Sequence, residues 1–125
     1  MKDILKQGES LQEKLKEYYH NLHSIAETEF ELNETVSFVR KILDEIGCEY
    51  EDCGKCGITS VIGDPSKGKT FLLRADMDAL PIKEESGLDF SCAKGNMHAC
   101  GHDMHTAMLL GAAHILKSCE NELRG

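Results

Sequence analysis

The chain has 125 residues, and its 14 lysines and arginines against 22 aspartates and glutamates give a formal net charge of −8 at pH 7. This length suits one domain or a piece of a larger one, and the acidic balance argues against a protein that neutralises nucleic-acid phosphates. The sequence has no apolar run near the roughly 18 residues of a membrane span, and its charged start lacks the apolar stretch of a secretory signal. We therefore expect a cytoplasmic protein that has neither nucleic acid nor a membrane as its partner.

Two amphipathic stretches open the chain. From about Ile4 to Ile25, apolar residues recur at helical spacing among Lys, Glu and Gln, which predicts one long surface helix. Asn33 is placed to cap a second helix, which Gly47 ends. The inward positions predicted for this second helix are Val36, Phe38, Val39, Ile42, Leu43 and Ile46.

Strand patterns follow these helices. Residues 48–51 and 57–62 are predicted strands, residues 63–69 (GDPSKGK) form a turn, and residues 70–73 form a third strand. A long polar region leads to Met104–Ser118, which has Ala, Met and Leu at helical spacing. This order favours an α/β fold, and the chain stops where another strand would normally follow.

The segment Met97–His105 reads MHACGHDMH and concentrates metal-binding side chains. Cys100 and His102 are separated by a single residue, Gly101, which permits a sharp backbone conformation. Thiolate and imidazole together favour Zn²⁺ or a similar late transition metal. The neighbouring His98, Asp103 and His105 are candidates for further ligands or for groups that orient the ligand rings. The plainer interpretation is a histidine-rich surface loop beside a structural thiol.

Two carboxylates follow the third predicted strand. Asp76 and Asp78 project from one side of an extended chain, at the carboxyl end of a strand, where open α/β sheets bind ligands. Pro81 stops any helix at this point. The alternative is a solvated acidic turn.

The segments LRADMDALPI and GNMHACGHDMHTAMLLGAA resemble the dinuclear-metal amidohydrolases of the aminoacylase/carboxypeptidase metallopeptidase superfamily, in the hippurate hydrolase and N-acyl-amino-acid hydrolase subgroup. Leu22, His23 and Glu27 also match the first helical region of this subgroup. The resemblance implies the first part of a zinc-exopeptidase-like catalytic domain, with a mixed sheet flanked by helices. Residues 1–125 would form its N-terminal portion, without the remainder of the catalytic domain or the dimerisation domain.

The resemblance also implies roles for particular residues. Cys100 and His102 match two metal ligands, and Asp78 matches the acidic residue that supports a ligand and is counted as catalytic. Asp76 stands where wider-superfamily members carry a histidine ligand, and Asp103 and His105 match the motif without an assigned role. The implied cofactors are two divalent metal ions, most readily zinc, with manganese, cobalt or nickel as alternatives.

The implied reaction is hydrolysis of the amide bond of a small N-acyl amino acid, in an enzyme that is often a homodimer. Metal ions polarise the amide carbonyl and activate water, while a glutamate accepts a proton. The family's catalytic glutamate lies beyond the helix that Met104–Ser118 matches, and Glu120 and Glu122 are poor substitutes for it. We therefore expect this chain to be inactive by itself.

Two competing motifs are present. Gly63–Thr70 fits the phosphate-binding pattern G-x-x-x-x-G-K-[ST], although a P-loop must lead into a helix. Cys53 and Cys56 form a C-x-x-C that is followed by a strand, whereas redox motifs of this form begin a helix. A zinc-binding module that joins this pair to His98 and Cys100 is the remaining alternative, with an unusually long gap.

The remaining singled-out residues have structural interpretations. We expect His20, His23 and His114 to be helix-surface or packing residues, and Met97, Met104 and Met108 to belong to the core.

Overall fold

The computed structural model describes residues 3–125, and within them it contains four α-helices and one two-stranded sheet. The elements are α1 (Ile4–Ser10), α2 (Gln12–Ile25), α3 (Asn33–Ile46), β1 (Tyr50–Cys53), β2 (Gly57–Ser60) and α4 (His102–Ser118), with short 3₁₀ helices at Pro65–Lys67 and Glu120–Glu122. The α/β class is confirmed, and the sheet within the described residues is a two-stranded antiparallel hairpin. No helix in this part of the chain is long and apolar enough to span a membrane.

The core lies between α2, α3 and α4. Gly111 of α4 allows a close approach to α2, since a Cβ atom at this position would meet the Leu15 side chain at 2.8 Å. The buried residues at the centre are Tyr18, Leu22, Val39, Ile42, Leu43, Cys48, Ala107 and Leu110. The burial of Met104 and Met108 was wrongly predicted: these side chains are 46% and 52% exposed, because they lie on the face of α4 that points away from this core.

Helix boundaries differ from the sequence pattern at two points. The predicted helix from Ile4 to Ile25 is divided at Leu11 into α1 and α2. Asn33 is the first helical residue of α3 and not its cap. The Glu27 carboxylate takes the capping role instead, since it accepts hydrogen bonds from the backbone amides of Glu34 (3.1 Å) and Thr35 (2.8 Å). The predicted end of this helix is confirmed, with Gly47 in the left-handed conformation at φ 78°.

The β1–β2 hairpin contains the C-x-x-C pair in its turn. Cys53 pairs with Gly57 in the antiparallel register, and the turn between them contains Cys56. Because no helix begins here, the setting of a redox C-x-x-C is absent. Among the described residues, no group of three or more His, Cys, Asp or Glu side chains is arranged to hold a metal ion, so the separate zinc-binding module has no support.

The third predicted strand is wrong. Residues 70–73 are neither strand nor helix, and the side chains of Phe71, Leu72 and Leu73 are 80%, 86% and 56% exposed. The segment lacks a neighbouring strand among the described residues, so its apolar side chains and its backbone have nothing to pair with. Thr70 leads into this extended stretch and not into a helix, which removes the structural basis of the phosphate-binding interpretation.

The long polar region after residue 74 is held in place by a few backbone contacts. Ala79 forms a parallel bridge with Thr28, and Leu80 forms an antiparallel bridge with Met97. The Ala79 amide donates to the Glu27 carbonyl at 2.7 Å. These contacts fix the acidic segment beside the end of α2 and beside the turn that precedes α4.

Candidate metal centre

The N-terminal part of α4 contacts the acidic segment through two side chains. His102 Nδ1 lies 2.9 Å from the Asp78 carbonyl oxygen, and the Thr106 hydroxyl donates to the Asp76 carbonyl oxygen at 3.0 Å. Four helical residues rise about 6 Å and two extended residues span about 6.6 Å, so the spacing of the donors matches that of the acceptors. These two contacts fix the position of α4 along the acidic segment.

The Asp78 carboxylate makes a second contact with the same ring. Its Oδ1 atom lies 3.0 Å from His102 Nδ1, so this nitrogen faces a carbonyl oxygen and a carboxylate oxygen together. Both atoms accept hydrogen bonds, so Nδ1 is the donor in this contact, and in the neutral ring the lone pair then lies on Nε2. A metal-binding histidine has this arrangement, because the bond at one nitrogen fixes the tautomer and the orientation of the ring.

Cys100 lies two residues before His102, in the turn that precedes α4. The cysteine is exposed and forms no disulfide. Gly101 separates the two residues in the left-handed conformation at φ 85°, a backbone geometry that glycine adopts without strain. Cys100 therefore belongs to the turn, whereas His102 belongs to the helix.

The remaining acidic and histidine candidates lie at the edge of this arrangement. The Asp76 carboxylate pairs with the Arg74 guanidinium, and both side chains are exposed. His105 is exposed, with its ring centroid 6.3 Å from that of His102. The structure thus brings Asp78 and His102 together and places neither Asp76 nor His105 in hydrogen-bond contact with them.

His98 is buried beside the same turn. It is 5% exposed, and neither of its ring nitrogens has a hydrogen-bond partner among the described residues. Burial lowers the pKa of this imidazole, more than the nearby negative charges raise it. A buried imidazole with two unpaired nitrogens is costly, and it makes His98 the least satisfied polar group near the candidate centre.

His23 has the packing role, one of the two roles expected for it, and it also has two polar partners that the sequence did not predict. It is not on the helix surface: its side chain is 4% exposed, with Nδ1 2.7 Å from Asp103 Oδ2 and Nε2 2.8 Å from Glu84 Oε1. These partners lie 80 and 61 residues away in the sequence, so no local pattern shows them. The available signal was the position of His23 one turn after Tyr19, on the apolar side of α2, where a histidine needs a buried partner.

The two carboxylates set the charge state of this cluster. Burial by itself would lower the pKa of His23, but the hydrogen bonds and charges of Glu84 and Asp103 outweigh it and raise the pKa above 6.5. For Glu84, burial would raise the pKa, but hydrogen bonds from Ser86, His23 and the Cys92 amide lower it from 4.5 to about 2. The structure therefore favours an imidazolium between two carboxylates.

The residues near α4 fit a late transition metal in kind but not in number. A free thiol and an imidazole with its second nitrogen anchored are the donors that zinc prefers. A catalytic zinc takes about three protein ligands, and no group of three suitable side chains is present in residues 3–125. These residues supply two candidate ligands and the group that orients one of them.

Comparisons with known proteins bear on the same residues. The family described as Peptidase family M20/M25/M40 matches residues 72–125, a range that contains Asp78, Cys100 and His102. The chain is 46% identical over 107 residues to the N-acetyl-L-cysteine deacetylase of Bacillus subtilis, covering 84% of this chain and 26% of that protein. It is 40% identical over 107 residues to the N-acyl-L-amino acid amidohydrolase of Geobacillus stearothermophilus, covering 84% of this chain and 29% of that protein.

A solved structure gives the same result for the fold. The crystal structure of a Bacillus subtilis protein, described as a dinuclear metal binding peptidase from the M20 family, aligns with a TM-score of 0.86 at 36% identity. The alignment covers 94% of this chain and 33% of that protein. The chain therefore spans between a quarter and a third of the length of these similar proteins.

Proposed function

Because this chain belongs to peptidase family M20/M25/M40, we propose that it supplies the N-terminal portion of the catalytic domain of a metal-dependent amidohydrolase. The substrate class that we propose is N-acyl amino acids, cleaved at the amide bond. The names of two similar proteins, an N-acetyl-L-cysteine deacetylase and an N-acyl-L-amino acid amidohydrolase, support this class. Homodimeric assembly of the whole enzyme remains a prediction.

One observation carries the proposal: the contact between His102 Nδ1 and both oxygen acceptors of Asp78. It gives the imidazole one defined tautomer, with Nε2 free to bind a cation. In our proposal Cys100 and His102 hold the metal. Asp78 fixes the ring from the opposite side, and its negative charge makes the imidazole a stronger donor.

We propose two divalent metal ions as the cofactors, with zinc as the first choice. The dinuclear description of the similar M20 structure supports two ions, and the pairing of thiol with imidazole supports zinc. When bound, such ions polarise an amide carbonyl and activate water at neutral pH. The part of the chain described here supplies the thiol, the imidazole and the orienting carboxylate.

The first experiment tests metal binding by the chain itself. Titration with Co²⁺, followed by the thiolate-to-metal absorption band, is expected to show binding that disappears in Cys100→Ser. The variant Cys53→Ser is the matched control, since Cys53 is an exposed thiol in the β1–β2 hairpin. Binding by Cys100→Ser with an unchanged spectrum would contradict the assignment of this ligand.

The second experiment tests the reaction. A chimera in which this chain replaces the corresponding quarter of the Bacillus subtilis N-acetyl-L-cysteine deacetylase is expected to hydrolyse N-acyl amino acids in the presence of metal. The His102→Ala chimera is expected to lose this turnover, and Thr28→Ser serves as a conservative control outside the centre. A folded, metal-loaded chimera without turnover of any N-acyl amino acid would overturn the proposed function.

A further inference from the structure

A buried histidine joins three separate parts of the chain next to the candidate centre. The His23 ring comes from α2, Glu84 comes from the polar region, and Asp103 comes from the first turn of α4. The three side chains are 4%, 1% and 2% exposed. Solvent therefore cannot replace any one of these partners without local opening of the structure.

Each carboxylate in this cluster is also tied to its own backbone region. Asp103 uses Oδ2 for His23 and accepts the Met104 amide on Oδ1 at 2.8 Å. Glu84 accepts His23 and the Ser86 hydroxyl on Oε1, and the Cys92 amide on Oε2 at 3.0 Å. Hydrogen bonds through the two carboxylates therefore link His23 to the start of α4 on one side and to the polar region on the other.

The start of α4 is where the metal-ligand candidate lies. Asp103 is the residue next to His102, and the His102 ring reaches Asp78 at 2.9 and 3.0 Å. A hydrogen bond weakens when its donor–acceptor distance grows beyond about 3.2 Å or its angle falls toward about 120°. A small displacement of Asp103 would therefore change the orientation of His102.

We propose that His23 is a positioning residue for the candidate metal centre: it holds Asp103, and through Asp103 it holds the His102 ring against Asp78. This inference rests on the proposed function for its consequence, since a displaced His102 matters because it is a proposed ligand. A buried ion cluster of this type is weak evidence for stability, because well-packed apolar residues of similar volume often stabilise a fold as well. His23 itself touches neither the metal nor the substrate.

The test uses the whole chain and two variants of the cluster. His23→Gln carries its donors on a single nitrogen and so cannot reach both carboxylates from two sides as the ring does. Asp103→Asn removes the charge that the His23 ring contacts at the start of α4. His20→Gln is the matched control, because His20 lies on the same helix and stacks on Phe90 at a centroid distance of 3.8 Å. The first readout is the NMR signal of the His102 Nδ1 proton in the metal-free chain, and the second is the affinity for Co²⁺.

The expected result is a broadened or absent His102 Nδ1 signal in His23→Gln and in Asp103→Asn, with Co²⁺ affinity reduced about tenfold or more. His20→Gln should match the wild type in both readouts. A folded His23→Gln chain with the wild-type signal and wild-type Co²⁺ affinity would overturn the inference. If His23→Gln does not fold, Asp103→Asn decides by the same criteria. A wild-type chain that binds no Co²⁺ would count against the proposed function, while the His102 signal would still decide the role of His23.

Discussion

His102 and Asp78 meet through one ring nitrogen and two different oxygens, the Asp78 carbonyl at 2.9 Å and its carboxylate at 3.0 Å. The carbonyl contact sets where the ring lies, and the carboxylate contact adds charge. The two functions are separable by mutation, because a side-chain substitution at Asp78 leaves the carbonyl in place.

We expect Asp78→Asn to weaken divalent metal binding by about tenfold to a hundredfold, the range typical of lost support for a metal-binding histidine. The carbonyl contact remains, so the helix should stay in register and the fold should be retained. Calorimetric titration with Zn²⁺ measures the affinity. Asp76→Asn is the control, since its exposed carboxylate pairs with Arg74 and makes no hydrogen bond to His102. Equal affinities in the two variants would contradict the orienting role of Asp78.

We expect the two thiol regions to differ in their effect on metal stoichiometry. Cys100→Ser should lower the amount of Zn²⁺ bound, because a serine hydroxyl is a far poorer ligand than a thiolate. The double variant Cys53→Ser/Cys56→Ser should bind as much Zn²⁺ as the wild type, since these residues lie in the β1–β2 hairpin turn. Metal analysis after gel filtration measures both. Loss of Zn²⁺ binding in the double variant would support the alternative of a separate zinc-binding module.

We expect replacement by leucine to destabilise the chain much more at one buried histidine than at another. His23→Leu leaves two buried carboxylates without their partner and should cost about 3–5 kcal/mol in the free energy of unfolding. His98→Leu removes a ring whose two nitrogens have no partner among the described residues, so the cost should stay within about 1 kcal/mol. Urea denaturation of the metal-free chain gives both values. A large loss in His98→Leu would show that His98 has a partner that the fold alone does not show.

We expect the stability of the metal-free chain to depend on pH through the His23 cluster. The raised pKa of His23 means that its contribution is complete below 6.5 and is lost as the pH rises through the folded value. The pKa of Glu84, lowered from 4.5 to about 2, means that its contribution is complete above 4.5 and is lost as the pH falls toward about 2. The contribution of the cluster is therefore largest between pH 4.5 and 6.5.

Thermal unfolding across this range measures the effect, with His23→Gln as the reference that lacks the titrating ring. The difference in melting temperature between the wild type and His23→Gln should shrink as the pH rises above neutrality. His98 is the nearest other histidine, 6.4 Å away between ring centroids, so His98→Leu in both backgrounds removes its titration from the comparison. A difference that grows with pH would show that His23 is neutral in the folded chain.

The sequence was most informative where periodicity is strong. The apolar spacing of Val36, Val39 and Leu43 predicted α3, and the small and apolar residues of α4 predicted that helix to within two residues of its start. The family resemblance came from short motifs in which spacing and residue type are both restricted. The contact between Asp78 and His102 followed from no local pattern, because it joins residues 24 apart in the chain.

The errors have a common physical cause. Phe71, Leu72 and Leu73 have the composition of a buried strand, but a strand needs a neighbour, which no local window contains. The sequence predicted a surface or packing role for His23 but not its two carboxylate partners, because these are distant in the sequence. Glu27 replaced Asn33 as the cap of α3 because the chain before that helix folds back toward its amides. Each outcome was decided by tertiary contacts.

The exposed segment 70–73 has a practical consequence for work with the chain in solution. Three large apolar side chains, 80%, 86% and 56% exposed, stand in an extended backbone whose edge is open. Such a segment can pair with the same segment of another molecule, which favours aggregation at high concentration. The purified chain should therefore stay soluble best at low concentration. The substitution Leu72→Lys should improve its solubility without disturbing the helices.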